Sequence, residues 1–230
     1  MLGTAAPSST LPSGPPEESG DLHGGVVGPR IDVLERIFAP EVAVAVWRRG
    51  PDPELAAQLA RELPGRELAI TERLRAGPST PEAALERAFG GFGTARAALA
   101  AHVAALVDLH ATLTDAEHVG LRLAVTRGRP CPRFHVDRVG LRLIATLRGP
   151  GTEWLEHAAV DRRRLGLAAG AQREEDSGPL RVGAVIHRLE PFDVGVFKGE
   201  SWPGNAGRGA VHRSPPPDGD WRVMLSLDAL

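Results

Sequence analysis

The hydrophobic pattern of the chain changes character about halfway along. Between residues 31 and 118, apolar residues recur mostly at helical spacing, with proline and glycine between the runs. After residue 118, short runs alternate between apolar and polar residues and are separated by glycine and proline. The first pattern is typical of amphipathic helices and the second of half-buried strands. We therefore expect a mainly helical part at 31–118 and a β-rich part at 119–230.

Three helices are predicted in the first part. Asp52 is an N-cap residue followed by a proline at the first helical position, and the helix it begins ends at Pro64. A second helix begins at Pro81, with Ser79 or Thr80 as its N-cap. Thr94 is the predicted N-cap of a third helix, which continues to about Leu113 with its apolar residues on one stripe. The alternating run VAVAVW, which ends at Trp47, predicts a strand before these helices.

Seven strands are predicted in the second part, most of them with no helix between them. This spacing indicates an antiparallel sandwich or barrel. A charged segment at 158–178 interrupts the strands and is predicted as a loop with a partial helix. The strands are predicted at 119–127, 133–137, 139–149, 180–189, 193–199, 209–213 and 221–228.

Composition adds boundaries and excludes some partners. The chain has 230 residues, 42% of them hydrophobic, and a net charge of −2, which argues against nucleic acid and anionic membranes as partners. Residues 1–30 are rich in proline, serine and glycine, so we expect a disordered tail before a single domain at 31–230. Cys131 is the one cysteine, and no targeting signal or membrane-spanning stretch is recognised, so a cytoplasmic location is expected.

One short motif carries candidate metal chemistry. His135 and Asp137 are two residues apart on a predicted strand, so their side chains leave the same face and can converge on one ion. Taken alone, the pair is more typical of a strand-end salt bridge or hydrogen bond than of a metal site. Further along, His212 ends a short strand, and Arg222 begins the last strand ten positions later.

This order of residues resembles that of the double-stranded β-helix oxygenases that use Fe(II) and 2-oxoglutarate. The resemblance implies that His135, Asp137 and His212 hold Fe(II) on one face and leave the other coordination positions open. It also implies an α+β fold, in which a C-terminal double-stranded β-helix, a jelly-roll or cupin-like barrel, packs with N-terminal helices.

The same resemblance gives Arg222 the task of binding the distal carboxylate of 2-oxoglutarate, for which a planar guanidinium is suited. Family members often carry a serine or threonine two residues after this arginine, where the present chain has Met224. Ser226, two positions further, shares the face of Arg222 in an extended strand and is a second candidate for binding the co-substrate.

A closer resemblance concerns a bacterial family of unknown function. The strings CPRFHVDRVGLRLIATLRG and FDVGVFKGESWPGNAGRGAVHR resemble sequences of that family, and the resemblance covers most of the chain from about residue 33. Genes of this family are associated with zinc-responsive neighbourhoods that contain zinc-handling GTPases. The resemblance therefore implies a link to metal supply, with metal-handling proteins as possible partners.

Four further residues are candidates for contact with the substrate or for support of the ligands. Cys131 could add a thiolate ligand and convert an open iron site into a closed zinc site, or it could be a turn residue. Trp154 could reach the mouth of the pocket or lie in the barrel core, and Lys198 and Trp202 could touch substrate or belong to a solvated loop. Arg142 alternates with leucines, as expected of a half-buried strand.

Two functions remain open from the sequence. The first is an Fe(II)- and 2-oxoglutarate-dependent oxygenase that acts on an unknown small-molecule or protein substrate. The second is a protein that binds Zn²⁺ or another divalent ion without turnover, in metal homeostasis. The positions of Cys131 and Arg222 relative to the ligands discriminate between them, because zinc favours a thiolate within ligand distance and the oxygenase needs a free guanidinium beside the ion.

Overall fold

The computed structural model describes residues 20–22, 24–63, 65–77, 82–165 and 178–230. Within them the chain forms three α-helices, several short 3₁₀ helices and eleven strands. The capping residues predicted for the second helix lie outside the described residues, as do most of the predicted tail and the middle of the charged segment at 158–178.

The helices follow the pattern predicted from the sequence. Asp52 caps the first helix, because its carboxylate accepts hydrogen bonds from the backbone N–H groups of Glu54 and Leu55. The third helix begins at Arg96 after a 3₁₀ turn, with Ala95 rather than the predicted Thr94 as its N-cap residue. Asp115, in the left-handed conformation, is its C-cap. The helices are α1 (Pro53–Glu62), α2 (Glu82–Ala88) and α3 (Arg96–Thr114); the 3₁₀ helices are Ile31–Phe38, Gly90–Ala95, His157–Ala159 and Arg162–Arg164.

Eight strands form one large sheet in the order β1-β2-β3-β9-β6-β11-β5-β4. All neighbouring pairs are antiparallel except β2 and β3, which are parallel. The strands are β1 (Gly20–Leu22), β2 (Gly25–Gly28), β3 (Val44–Trp47), β4 (Leu68–Arg75), β5 (His118–Thr126), β6 (Leu141–Arg148), β9 (Val194–Lys198) and β11 (Arg222–Ala229).

A small sheet packs against the large one. Its strands are β7 (Glu153–Leu155), β8 (Ile186–Arg188) and β10 (Val211–Arg213), in the order β10-β7-β8, and His135 pairs with His212 in an isolated bridge at the free side of β10. From β5 onward the chain crosses repeatedly from one sheet to the other: β5, β6, β9 and β11 belong to the large sheet, and the His135 segment, β7, β8 and β10 belong to the small one. Two facing sheets connected in this order form a jelly roll.

The large sheet has two chemically different faces. Residues 223, 225 and 227 of β11 belong to the main hydrophobic core, which α1, α2 and α3 cover. We call this side the helix-covered face. Residues 222, 224, 226 and 228 leave the opposite side, which we call the site face, because successive side chains of a strand point to opposite sides. A smaller apolar cluster around Trp154, Ile144 and Phe197 joins the site face to the small sheet.

The first half of the chain is less purely helical than predicted. Strand β4 was not predicted, because at the open end of the sheet most of its side chains are exposed or half-buried, so no apolar alternation marks it. Ordered structure also begins before residue 31, since Gly25–Gly28 is a strand that pairs with β3. The barrel sheet therefore takes strands from both halves of the chain.

The stretch Gly90–Thr114 is long and apolar enough to cross a membrane by length and composition, which the sequence reading had not recognised. Its hydropathy has another explanation in the fold. Leu99, Val103, Leu106 and Val107 of α3 are all buried in the core against the sheet. Packing of a core helix therefore accounts for the apolar composition of this stretch.

Candidate metal centre

Backbone pairing brings the His-x-Asp motif beside the distal histidine. The N–H of His135 donates to the carbonyl of His212 at 3.0 Å, and the N–H of His212 donates to the carbonyl of His135 at 3.0 Å. This exchange of two hydrogen bonds places the two imidazoles side by side, with ring centroids 4.5 Å apart. Asp137, two residues after His135, reaches the same space.

The three candidate ligands converge as the sequence predicts. One ligand atom from each of His135, Asp137 and His212 lies within 4.8 Å of the other two. The Nε2 atom of His212 is 3.2 Å from Oδ2 of Asp137, and Nε2 of His135 is 3.8 Å from Oδ1. The side chain of His212 is 6% exposed and that of His135 is 28% exposed, so the group is open to solvent on the His135 side.

Backbone carbonyls orient both imidazoles for metal binding. Nδ1 of His135 lies 2.9 Å from the carbonyl of Arg133, and Nδ1 of His212 lies 3.1 Å from that of Ala210. A carbonyl can only accept, so in each ring the proton belongs on Nδ1 and the lone pair on Nε2. Both Nε2 atoms point toward Asp137, and such an outer hydrogen bond is the usual way that a metal-bound histidine is oriented.

Electrostatics keep the site ready for a cation. Burial would raise the pKa of the Asp137 carboxyl, but His212, Arg142 and His135 together outweigh it and hold that pKa well below its ordinary value. Burial and the neighbouring His212 lower the pKa of His135. Near neutral pH the pair is therefore a carboxylate beside a neutral imidazole, which is the protonation state that a divalent ion requires.

The loop after β9 holds the backbone around Asp137. The N–H of Glu200 donates to the carbonyl of Asp137 at 2.9 Å, and the N–H of Ser201 donates to that of Val139 at 3.1 Å. A Cβ atom on Gly199 would lie 2.1 Å from the carbonyl oxygen of Val139, so only glycine allows this close approach. The sequence analysis missed this support, because nothing in the string FKGES shows which backbone it contacts.

Arg222 lies in a buried pocket lined by hydroxyl groups. Its guanidinium donates to Oγ1 of Thr152 at 3.1 Å and to Oγ1 of Thr146 and Oγ of Ser214 at 3.4 Å each. Among the residues that the structure describes, no carboxylate pairs with it, and its Nε has no hydrogen-bond partner. Burial lowers the pKa of Arg222 to about 10, against a smaller opposing effect of the nearby Cys131.

The pocket of Arg222 is close to the metal ligands along the chain. Ser214 follows His212 by two residues, which in an extended chain is roughly 7 Å along the same face. Thr152 lies beside it, since β7 and β10 pair with Trp154 opposite His212. The sequence analysis singled out none of the three hydroxyl residues. The available signal was the two-residue spacing of Thr152 from Trp154 and of Ser214 from His212, whereas nothing near Thr146 in the sequence pointed to Arg222.

The other candidates lie in different places. Cys131 is exposed and is not one of the converging ligands, although it is close enough to influence Arg222. Trp154 is buried in the barrel interior, with its ring stacked on His187 at a centroid distance of 4.4 Å. Ser226 is on the site face, four residues and thus roughly 13 Å along the strand from Arg222.

Lys198 and Trp202 lie on the helix-covered side of the large sheet. Lys198 is on the same face of β9 as the core residues Val194 and Val196, and its ammonium donates to the carbonyl of Ala39 at 2.9 Å. The ring of Trp202 lies beneath that ammonium, with the nitrogen 5.7 Å from the ring centroid. The large sheet therefore separates both residues from the converging ligands, whereas the neighbouring Phe197 does contact His212, at a centroid distance of 5.2 Å.

Several solved structures are similar to this one. The dioxygenase for auxin oxidation from rice is 14% identical, with a TM-score of 0.50 over 86% of this chain and 76% of that one. The dioxygenase for auxin oxidation 1 from Arabidopsis thaliana, solved with 2-oxoglutarate, is 11% identical, with a TM-score of 0.41 over 70% of this chain and 63% of that one. A prolyl-4-hydroxylase from Pseudomonas putida is 13% identical, with a TM-score of 0.39 over 86% and 96%.

The likeness to the rice enzyme shows the fold alone. The expected double-stranded β-helix is confirmed at that level by the rice enzyme, while this chain spans less than two thirds of the Arabidopsis protein's length. No curated protein matches the sequence. The family model described as protein of unknown function (DUF1826) matches residues 28–228. That match covers most of the chain, which therefore belongs to the DUF1826 family.

Proposed function

We propose that this protein is an Fe(II)- and 2-oxoglutarate-dependent oxygenase. The observation that carries the proposal is the buried guanidinium of Arg222, which has only hydroxyl partners among the described residues. One of these partners, Ser214, is two residues after His212. A buried cation without a counter-ion is costly, so this pocket is suited to an anionic ligand. Fe(II) and 2-oxoglutarate, when bound, supply the O₂-dependent oxidation of a C–H bond.

The donor set fits Fe(II). Two imidazoles and one carboxylate are the facial ligand set that leaves coordination positions open for co-substrate and O₂. His135 and His212 offer their Nε2 lone pairs, and Asp137 stays ionised. The zinc alternative depended on Cys131 as a fourth ligand, and its exclusion from the converging group removes that support.

The pocket also fits a dicarboxylate. The guanidinium of Arg222 can form a two-pronged ion pair with the distal carboxylate of 2-oxoglutarate, and burial strengthens such a pair. The 2-oxoglutarate oxygenases often carry a serine or threonine two residues after this arginine, but here that position is Met224. We infer that Thr152 and Ser214 take its place, because they approach the same guanidinium from the small sheet's side.

The test separates metal binding from co-substrate binding. Protein loaded anaerobically with Fe(II) should develop a visible charge-transfer band when 2-oxoglutarate is added, and should release succinate in air. His135→Ala should abolish both by removing a ligand. Arg222→Met should keep Fe(II) binding and weaken 2-oxoglutarate binding by at least about 100-fold, because two charged hydrogen bonds contribute about 3 kcal/mol or more.

Arg127→Met is the matched control. Arg127 is an exposed arginine whose guanidinium lies 4.7 Å from the ring centroid of Trp221. Trp221 is the residue directly before Arg222 in the sequence. Its loss should leave the band and the succinate yield unchanged. Absence of the band and of succinate in the wild-type protein, together with tight stoichiometric zinc, would contradict the oxygenase assignment.

A further inference from the structure

Arg142 connects the candidate ligand Asp137 to a second carboxylate on another strand. Its Nη1 donates to Oδ2 of Asp137 at 2.6 Å. Its Nε and Nη2 donate to the two oxygens of Asp228 at 2.7 and 2.8 Å. One guanidinium therefore uses a two-pronged contact to grip the last strand and its remaining nitrogen to hold the metal-binding carboxylate.

This connection is largely shielded from solvent. The side chains of Arg142, Asp137 and Asp228 are 16%, 17% and 11% exposed. Asp228 also accepts a hydrogen bond from Arg122, whose side chain is 62% exposed. The inner contacts are therefore screened far less than the outer one, so Arg142 is fixed between the strands while Arg122 adds only a surface contact.

We propose that Arg142, clamped by Asp228, is a positioning residue that sets how Asp137 binds the metal. The proposal rests on the metal centre proposed above. Because Arg142 engages Oδ2, the carboxylate cannot rotate freely or turn both oxygens to one ion. Asp137 is thus held to coordination through one oxygen, which keeps the remaining positions around the ion open for other ligands.

Asp228 has a separate electrostatic task. A lone guanidinium at hydrogen-bond distance from Asp137 would neutralise the carboxylate and repel a divalent cation. Asp228 supplies a second negative charge to the same guanidinium, so the Asp137–Arg142–Asp228 group keeps a net charge of −1. The orientation supplied by Arg142 is therefore obtained without loss of the attraction between Asp137 and the cation.

The proposal is tested with Co(II) as a spectroscopic substitute for Fe(II), on the metal-free full-length chain. In calorimetric titrations, Arg142→Met and Asp228→Asn should each lower the affinity for Co(II) by about 10- to 100-fold, which is the range found when the hydrogen-bond partners of metal ligands are removed. Arg142→Met should also reduce the intensity of the visible Co(II) bands, since a carboxylate freed to bind through both oxygens raises the coordination number. Arg142→Lys keeps the charge and should recover part of the lost affinity.

Arg122→Met is the matched control, because it removes only the exposed partner of Asp228. It should leave the Co(II) affinity and spectrum unchanged. A purely structural role for Arg142 would lower the unfolding temperature of the metal-free protein without changing affinity or spectrum, and that result would overturn the inference. Failure of the wild-type protein to bind Co(II) would instead contradict the metal centre itself, and the inference with it.

Discussion

The two faces of the large sheet are built from alternate residues of the same strands, yet they follow different rules. On β11, Val223, Leu225 and Leu227 join the hydrophobic core beneath the helices. Arg222 and Asp228, on the same strand, are equally buried but point to the site face and bind polar partners. A shift of one residue in register would exchange the faces, so the apolar alternation on one side also fixes the chemistry on the other.

The faces also differ in how they treat buried polar groups. On the site face, Arg142 is paired with two carboxylates, whereas Arg222 has hydroxyl partners but no counter-ion in the part of the chain that the structure describes. On the helix-covered side, His110 of α3 is fully buried, and neither of its ring nitrogens has a hydrogen-bond partner among the described residues. Polar groups are thus arranged for ligand binding on the site face, whereas burial keeps His110 neutral on the helix-covered side.

The largest expected effect is a loss of unfolding free energy in acid, caused by two buried histidines on the helix-covered side. Burial lowers the pKa of His110 to about 4, despite the opposing influence of Asp228, and burial together with Arg49 lowers the pKa of His102 to about 4. Both values lie below the ordinary value of 6.5, so the folded protein favours the neutral rings. Each histidine should therefore cost about 3 kcal/mol of unfolding free energy as the pH falls from 6.5 to 4.

Urea unfolding of the metal-free protein at pH 7.0, 5.5 and 4.5 measures this loss. His110→Leu should remove about half of the acid-induced loss of unfolding free energy that the two histidines cause together. The unfolding free energy of the variant should therefore fall less steeply with decreasing pH than that of the wild type. Parallel curves for variant and wild type would show that His110 does not contribute. The comparison is made at each pH, so titration of the site face affects both proteins equally.

The sequence predicts the helix-covered face better than the edges of the fold. Apolar periodicity identifies α1, α3 and the central strands, because a face packed against the core must be apolar along its length. Strand β4 has no such face, and β1 and β2 lie in a stretch rich in glycine and proline. Their pairing is decided by distant backbone partners, which no local pattern reports.

An intermediate effect is expected where the site face depends on close backbone contact. Gly199→Ala would bring a Cβ atom within 2.1 Å of the carbonyl of Val139 and 2.9 Å of that of Asp137. These are backbone atoms, so the loop must move, at a cost of about 1–3 kcal/mol in unfolding free energy. Because the same loop holds Asp137, Co(II) affinity should fall with the unfolding temperature.

The neighbouring Gly140 provides the control. A Cβ atom there meets nothing within 4 Å, so Gly140→Ala should change the unfolding free energy by less than about 0.5 kcal/mol. If both alanine variants behaved alike in thermal unfolding and Co(II) titration, the close approach at Gly199 would have no role in positioning Asp137.

On the site face, the sequence identifies the residues whose order along the chain is distinctive and misses those that act by proximity. His135, Asp137 and His212 were predicted together, and they converge. Arg142 was interpreted as an ordinary half-buried strand residue, since its alternation with leucines says nothing about Asp228, which lies 86 residues away. Thr152 and Ser214 were missed for the same reason, because a hydroxyl has no spacing rule of its own.

The smallest expected effect tests those hydroxyl groups. Thr152→Val and Ser214→Ala should each lower the affinity for 2-oxoglutarate by about fivefold, which corresponds to about 1 kcal/mol for one hydrogen bond. Both should leave the affinity for Co(II) unchanged. Thr126→Val is the control. Thr126 is paired with Arg222 in the sheet, but its hydroxyl accepts from the N–H of Gly128 at 2.8 Å, so its loss should not affect 2-oxoglutarate. Equal losses in all three variants would mean that general packing around Arg222, rather than its direct hydroxyl contacts, determines co-substrate affinity.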